Sequence, residues 1–566
     1  MALVAFWARE AGRCPGRQAP GEDKKRKMET SVLPAGAREE RGAAGNSQSA
    51  IPRYEKVVIG LIVLVALCLQ LRAAFLREFW FDEICTYLVS STPTLRDMFR
   101  AIPLDGNPPL YFLLARFCLH LPVRAELALR IPSILATDAT VMLLFLFVRR
   151  NARFALALLA ASAFLASGFG LYSSTEARPY ALLMCLTAAC ICSWQCAARG
   201  RRRKLALCGI AASVAGAILS HHYGVIYAGF PLFAGEMVRL KQRRRLDLPI
   251  IVAAIVGAAT LLITFPIMLH GQSELLTALK HDAAFWTRPQ FRFLLFYSRA
   301  LPPGQFIALL MFGIPALIAG AVIAEKYWNV GKWAEARIPI HKEDLFAGIA
   351  LFLILPVMLI VTKLGTGYFA TRYAVGSSLG VSIILGILLS YSKFRTWKFE
   401  AFIYGGVVYC LFLAYGVLLP QRVDPKGQVR SDPLFLSSPP GEEIVMSDAL
   451  LYLPTWWYST PAVRNRLHYL SDLSYAVKQR DFIPEYSLVY EHSIGTPKLD
   501  DYREFLATHH EFLLYYYGIP RREWVQDRLK NDGWTLIPLG SEAWKVYDDE
   551  PTKDHELYRV IAPAGR

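Results

Sequence analysis

The chain has 566 residues, 54% of them hydrophobic and 19% charged, with a mean hydropathy of +0.31 and a formal charge of +16. That balance is too apolar for a water-soluble domain and long enough for many membrane spans. The Lys and Arg residues fall in short loops between apolar runs, which is a topology signal, so the positive charge does not point to nucleic acid.

Of the ten cysteines, Cys14 lies in the amino-terminal segment, while Cys68, Cys118, Cys185, Cys190, Cys192, Cys196, Cys208 and Cys410 fall in apolar stretches. Only Cys85 is near the predicted outer surface, so neither a disulfide framework nor a Cys-based zinc site is indicated.

Residues 1–52 are rich in Gly, Ala, Arg, Lys and Glu, and Leu3 to Trp7 is too brief for a signal-peptide core. They read as a disordered cytoplasmic tail held inside by Lys24-Lys25-Arg26-Lys27, with Met28 as a second candidate start. The first span, Val57 to Phe75, then runs outward and is followed at once by Glu78-Phe79-Trp80-Phe81-Asp82-Glu83. A charge at bilayer depth costs roughly 2.5 to 3.5 kcal/mol, so an acidic pair beside Trp80 and Phe81 belongs at the aromatic interfacial level. There it is either a candidate active site or a solvated helix end.

The apolar run from Pro108 to Leu121 is about 14 residues, short of the roughly 20 needed to cross, and is therefore interfacial or re-entrant. It lengthens the first outer loop to residues 77–127. Ten further spans follow: Ala128 to Val148, Phe154 to Tyr172, Tyr180 to Ala198, Leu205 to Ser220, Tyr223 to Val238, Leu248 to Leu269, Phe306 to Ala324, Leu345 to Thr362, Tyr373 to Tyr391 and Ala401 to Leu419. Eleven spans in all put every basic loop inside. The same parity gathers four polar clusters outside: Asp82 with Glu83, Glu176 with Arg178, the loop from His270 to Arg299, and Lys363 with Arg372.

The membrane module thus covers 53–419, and residues 420–566 change in composition and read as a small outer α/β domain. Its expected elements are strands at Glu443 to Met446 and Arg466 to Leu470, helical spacing from Asp501 to Tyr516, and a helix from Arg522 to Asn531 stopped by Gly533. A last pair of strands is expected at Leu536 to Leu539 and Ala543 to Tyr547. No internal repeat is visible.

The outer groups suit a substrate with a charged head at the surface and a tail in the bilayer. Arg178, Arg372 and Lys363 are candidate phosphate clamps, and a carboxylate opposite them is a candidate general base for an incoming hydroxyl. A sugar leaving its phosphate needs such a base and electrostatic relief for the phosphate, with a divalent cation as an optional bridge to the second acid. His221 and His222 could ligate a metal with Glu83 or Glu176, or form an ordinary surface turn. Trp456-Trp457-Tyr458 and Tyr515-Tyr516-Tyr517 suit either stacking on a sugar ring or domain core.

Trp80-Phe81-Asp82-Glu83, Asn107-Pro108-Pro109-Leu110-Tyr111, Ala128-Leu129-Arg130-Ile131-Pro132-Ser133, Glu176-Ala177-Arg178-Pro179-Tyr180 and Thr371-Arg372-Tyr373 occur in that order. Together they resemble the GT-C glycosyltransferases, over residues 53–392. The branch is that of bacterial family-39-type enzymes related to protein O-mannosyltransferases and the lipid A aminoarabinose transferase. The resemblance implies a mainly α, polytopic fold with a C-terminal extracytoplasmic α/β domain in a bacterial plasma membrane. It implies a polyprenyl-phosphate sugar donor, a lipid, glycan or protein acceptor, and inversion at the anomeric centre. By position it makes Asp82 the general-base candidate, Glu83 its neighbour in donor or metal binding, Glu176 a second acid and Arg372 the contact to the donor phosphate. Asn107 stands where relatives often have His or Lys, and with Tyr111 and Tyr368 belongs to the donor or acceptor loops. The rival readings are a transporter or flippase, which calls for ionisable groups at the bilayer midplane, and a non-catalytic subunit that binds lipid-linked sugars.

Overall fold

The computed structural model describes residues 53–152, 154–271, 289–300, 341–365, 369–389, 432–479, 485–486, 488–489, 498–518, 523–544 and 553–563. The predicted tail 1–52, the spans expected at 306–324 and 401–419, Tyr368 and the domain boundary at 419/420 lie outside the described residues. The chain divides into two compact units, 1–65 and 66–566. Of the first, the described part is residues 53–65, the amino-terminal half of helix α1 (Arg53–Leu76).

Among the described residues, six helices are long and apolar enough to cross a membrane: Val57–Leu76, Ala125–Arg149, Tyr180–Ala198, Arg203–Ser220, Leu248–Pro266 and Thr371–Leu388. Two bent helix pairs raise the number to eight. A helix satisfies its backbone within itself, which is why these apolar runs take that form in lipid. The predicted sixth span is present as the helix Gly224–Arg243, but Glu236, Arg239 and Lys241 leave it more polar than the others.

Between α1 and the next long helix lie three short ones: α2 (Phe81–Ser90), α3 (Leu95–Asp105) and α4 (Leu110–Cys118). The segment after Pro108 is therefore too short to span, as its length requires. Helix α2 begins with a capping box, Glu83 reaching back to the amide of Trp80 at 3.4 Å. Helix α3 starts at Thr94, whose hydroxyl accepts from the Asp97 amide, and stops at Gly106, whose φ of 83° a side chain would resist.

Helix α5 (Ala125–Arg149) follows, then the pair α6 (Phe154–Ala166) and α7 (Gly168–Ser174), bent by 68° where Ser167 caps the new helix through the Gly170 amide. Helices α8 (Tyr180–Ala198), α9 (Arg203–Ser220), α10 (Gly224–Arg243), α11 (Leu248–Ala258) and α12 (Leu261–Gly271) continue the module. A second pair, α13 (Lys342–Phe352) and α14 (Ile354–Leu364), bends by 50°, and α15 (Gly376–Leu389) closes it. Gly380 of α15 lies so near the Phe352 backbone that a β-carbon there would come within 2.1 Å of its nitrogen, which fixes a close crossing.

The two ends of α8, about 28 Å apart for 19 residues, carry different polar clusters. At its carboxyl end, Asp344 of α13 accepts from Asn151 (2.9 Å), Gln195 (2.6 Å) and Arg199 (2.9 Å), tying α13 to α8 and to the turn between α5 and α6. At its amino end is the acidic pair.

The C-terminal region forms one six-stranded sheet in the order β3-β2-β1-β4-β6-β5. Strands β1 (Ile444–Met446), β2 (Leu467–Ser471), β3 (Leu499–Asp501) and β4 (Glu511–Tyr516) are parallel, and β5 (Thr535–Trp544) and β6 (Lys553–Ile561) add antiparallel. Between them run α16 (Ala449–Tyr458), α17 (Leu473–Gln479), α18 (Tyr502–Thr508) and α19 (Val525–Asn531), the last followed by Gly533 at φ 84°. Two expectations need correcting. Residues 501–516 are helix and then strand, because β4 is buried on both faces and shows no alternation to set it apart from a helix. The expected closing pair of strands is, up to Trp544, one strand, β5, whose register shifts between Pro538 and Gly540 and so mimics a turn in the sequence; residues 545–547 lie outside the described residues.

Candidate active site

Helix α1 ends in carbonyls that need donors. Arg130 of α5 supplies them, giving Nη1 to Ala74 O (2.7 Å) and Arg77 O (2.5 Å) and Nη2 to Glu78 O (2.8 Å). The same guanidinium grips Glu83, Nε to Oε1 at 2.8 Å and Nη2 to Oε2 at 2.7 Å. Glu83 Oε1 also accepts the Ala177 amide at 2.8 Å. Burial resists its ionisation, but Arg130 and Arg77 outweigh that and hold its carboxyl below the usual range. Both oxygens of Glu83 are thus engaged in joining α1, α2, α5 and the loop before α8.

Asp82, one residue earlier, faces another way. Its carboxylate pairs with Arg372 Nη1 and lies 3.8 Å from Arg178 Nε. Arg178 is itself fixed, donating Nη1 to Asp105 Oδ2 (2.8 Å), Thr86 Oγ1 (3.2 Å) and the Asp82 carbonyl (3.3 Å). Arg372 sits in the short turn Thr371–Ala374, its guanidinium 5.9 Å over Trp80 and 5.8 Å over Tyr180. Its side chain keeps 31% of its surface exposed against 6% for Arg178, so Arg372 is the more accessible of the two guanidiniums. Burial disfavours the charge on Asp82, yet Arg372 and Arg178 prevail and lower its pKa.

Glu176 adjoins this group. Its carbonyl accepts from Ser133 Oγ (2.6 Å) and the Arg178 amide (2.8 Å), while its carboxylate accepts no hydrogen bond among the described residues. Burial, opposed by Arg77 and Arg372 and reinforced by Glu83 and Asp82, pushes its pKa up to about 6. Two neighbouring carboxylates are therefore driven in opposite directions, an arrangement that separates acid and base roles.

The remaining predicted residues are placed as follows. Asn107 is buried and gives its amide to Asp105 at 2.6 Å, steadying the acid that steadies Arg178. Tyr111 is buried in the packing against α5, its hydroxyl donating to Leu129 O (3.0 Å) and paired with Ser133 Oγ (2.8 Å). Lys363 is exposed at the last turn of α14, its ammonium 5.8 Å from the Phe291 ring and not among the partners of Asp82. His221 is buried against Tyr180, Tyr223 and Tyr373; burial, and then the charges of His222, Arg372 and Arg178, keep it neutral. His222 Nε2 bonds Gly106 O at 2.7 Å.

Among the described residues, no three His, Cys, Asp or Glu side chains converge as metal ligands. The suggested trio of Glu83, His221 and His222 does not converge among the described residues: Glu83 is taken up by Arg130 and Ala177, and His222 by the Gly106 carbonyl. The sequence reading missed Asp105 and the role of Arg130. An arginine inside an apolar span was itself a signal for Arg130, since such a residue needs a partner; Asp105 carried none beyond its place before Gly106.

No curated protein matches the chain in sequence. The profile of the dolichyl-phosphate-mannose-protein mannosyltransferase family matches residues 106–270, less than a third of the chain. Among solved structures, ArnT from Cupriavidus metallidurans bound to undecaprenyl phosphate is similar at 14% identity over 88% of this chain and 97% of that one, with a TM-score of 0.55. The same enzyme in the apo state gives 12% identity, the same coverage and 0.54. The apo oligosaccharyltransferase of Archaeoglobus fulgidus gives 12% identity over 73% of this chain and 64% of that one, with a TM-score of 0.43. What the likeness to ArnT establishes is architecture: this chain has the GT-C fold, a polytopic helical membrane module carrying a C-terminal α/β domain.

Proposed function

We propose that the chain is an inverting glycosyltransferase that moves a sugar from a polyprenyl-phosphate carrier to a hydroxyl acceptor, at the outer face of a bacterial plasma membrane. The observation that carries this reading is the placement of Asp82 between Arg372 and Arg178, with Glu176 beside it, at the membrane end of several apolar helices. A lipid phosphate delivers its anion at that depth. The family profile and the ArnT complex with undecaprenyl phosphate concern the same class of donor.

In this reading the donor phosphate competes with Asp82 for Arg372 and so frees the carboxylate to act as base. The acceptor oxygen bonds to the anomeric carbon from the opposite face. The bond to the phosphate oxygen breaks, and its electron pair stays on a phosphate neutralised by Arg372 and Arg178. The hydroxyl proton passes to Asp82 and then downhill to Glu176, whose affinity for it is higher. Glu83, Asn107 and Tyr111 hold these groups in place.

The test uses the full-length protein in proteoliposomes with a panel of radiolabelled polyprenyl-phosphate sugars and candidate acceptors, with and without chelator. Transfer by the native chain is expected. Asp82→Asn should lose at least about 100-fold in turnover, the scale of general-base catalysis, while still binding polyprenyl phosphate. Binding without transfer by the native chain, across the whole panel, would leave a carrier or binding subunit in place of the enzyme. A reporter fused after Gln421 should be exported, and cytoplasmic activity of that fusion would overturn the outer-face assignment.

A further inference from the structure

We infer that the C-terminal domain positions the reacting carboxylate through Tyr458, at the end of α16. The inference rests on the transferase reading above. It starts from how that helix is held. Asp448 caps its first turn through the Leu450 amide at 2.8 Å. At its other end Arg464 donates Nε to Trp456 O (3.0 Å) and Nη2 to Trp457 O (2.8 Å) and Ser459 O (3.3 Å). The same guanidinium stacks 4.9 Å over the Trp456 ring. The last turn, which would otherwise fray, is thus a fixed platform.

That platform meets the membrane module at the acidic segment. The Trp457 ring stands edge-on to Tyr87 of α2 at 4.9 Å and lies 6.5 Å from Phe79. The Tyr458 hydroxyl accepts the Phe79 amide at 2.7 Å and donates to Glu126 Oε1 at 3.3 Å. Phe79 lies three residues before Asp82, in the extended link between α1 and α2, and Glu126 lies one helical turn before Arg130. One phenol from the C-terminal domain therefore ties together the two strands of chain that hold the acidic pair. Arg178 is bonded to α2 itself through the Asp82 carbonyl and Thr86, whereas Arg372 comes from the separate turn Thr371–Ala374, so a shift of α16 acts on the placement of Asp82 against Arg372. Trp456-Trp457-Tyr458 is in this light neither a sugar platform nor core of its own domain alone, but the joint between the two.

A positioning role of this kind acts on turnover more than on donor binding. In Tyr458→Phe, kcat is expected to fall about 5-fold, the equivalent of one ordinary hydrogen bond, with donor KM changed by less than about 2-fold. Hydrogen exchange at the Phe79 amide should accelerate in the same variant. Trp457→Leu should show the same pattern more strongly, Trp457→Phe should restore most of the turnover, and Arg503→Ala, on the exposed face of α18, should match the native protein. Unchanged kcat in an active Tyr458→Phe protein, or a rise in KM with kcat intact, would overturn the positioning role. Unchanged Phe79 exchange would overturn the tie itself. Exchange is measurable even in a chain that transfers no sugar, so failure of the transferase reading is told apart from failure of this one.

Discussion

Arg130 and Glu83, 47 residues apart in the chain, meet in a two-point ion pair with both side chains fully buried. A buried pair of this kind contributes little beyond what a well-packed apolar pair would, yet removal of one partner strands the other charge. Glu83→Gln is therefore expected to destabilise the protein by about 3–5 kcal/mol, with Glu83→Gln/Arg130→Met recovering part of the loss. Thermal unfolding in detergent micelles checks this. A Glu83→Gln protein that unfolds at the native temperature but has lost all transfer would make Glu83 a reacting group and not a staple.

Arg372 pairs with Asp82 and lies over the Trp80 and Tyr180 rings. A lysine offers a point charge where the guanidinium offers a planar fork that also stacks. Arg372→Lys should raise the donor KM about 10-fold or more, on the scale of one charge-assisted hydrogen bond, with a smaller effect on affinity for the acceptor. Titration with a polyprenyl phosphate, followed by intrinsic Trp fluorescence, reads the loss directly. Native affinity in Arg372→Lys would move the phosphate contact elsewhere.

Glu176 titrates at about 6, above its ordinary 4.5, through burial set against Arg77 and Arg372 and aided by Glu83 and Asp82. Its ionised form receives the acceptor proton, so kcat/KM should rise with pH through an apparent pKa near 6, and Glu176→Gln should lose that limb. The stability effect has the opposite sense. Between pH 4.5 and 6 the folded chain holds a proton that the unfolded chain has released, so stability falls as pH rises through that window. A native activity profile flat between pH 5 and 7 would remove Glu176 from the reaction.

The long helices were legible because lipid imposes long apolar runs; helices α1, α5, α8 and α9 stand where hydropathy puts them. Asp82 and Arg372 were legible as opposite charges on separate loops, and the structure pairs them. What separates Asp82 from Glu83 was not, since adjacent carboxylates on one helical turn look alike in sequence and part only once Arg130 and Arg372 arrive from 47 and 290 residues away. Tyr458 was hidden for the same reason: an aromatic triplet reads equally as core or as ligand platform until its hydroxyl is seen on the Phe79 amide.

The C-terminal sheet carries a second titrating device, independent of the site. His468 on β2 lies between Glu443 on Nε2 (2.7 Å) and Asp500 on Nδ1 (2.6 Å), with the rings of Phe505 and His509 at 5.0 and 6.0 Å. Both ring nitrogens can donate only as imidazolium. Burial opposes that charge, but the hydrogen bonds to Asp500 and Glu443 outweigh it and raise the pKa above 6.5. The unfolded chain binds fewer protons than the folded one above that value, so this contribution is complete below pH 6.5 and is lost as pH rises through the folded pKa. The unfolding temperature of the native protein should therefore drop as pH is raised above 6.5, whereas His468→Gln should be flat there. The window lies above the one set by Glu176, so Glu176→Gln should leave the upper slope unchanged while removing the lower. A His468→Gln protein that keeps the upper slope would assign it to some other group.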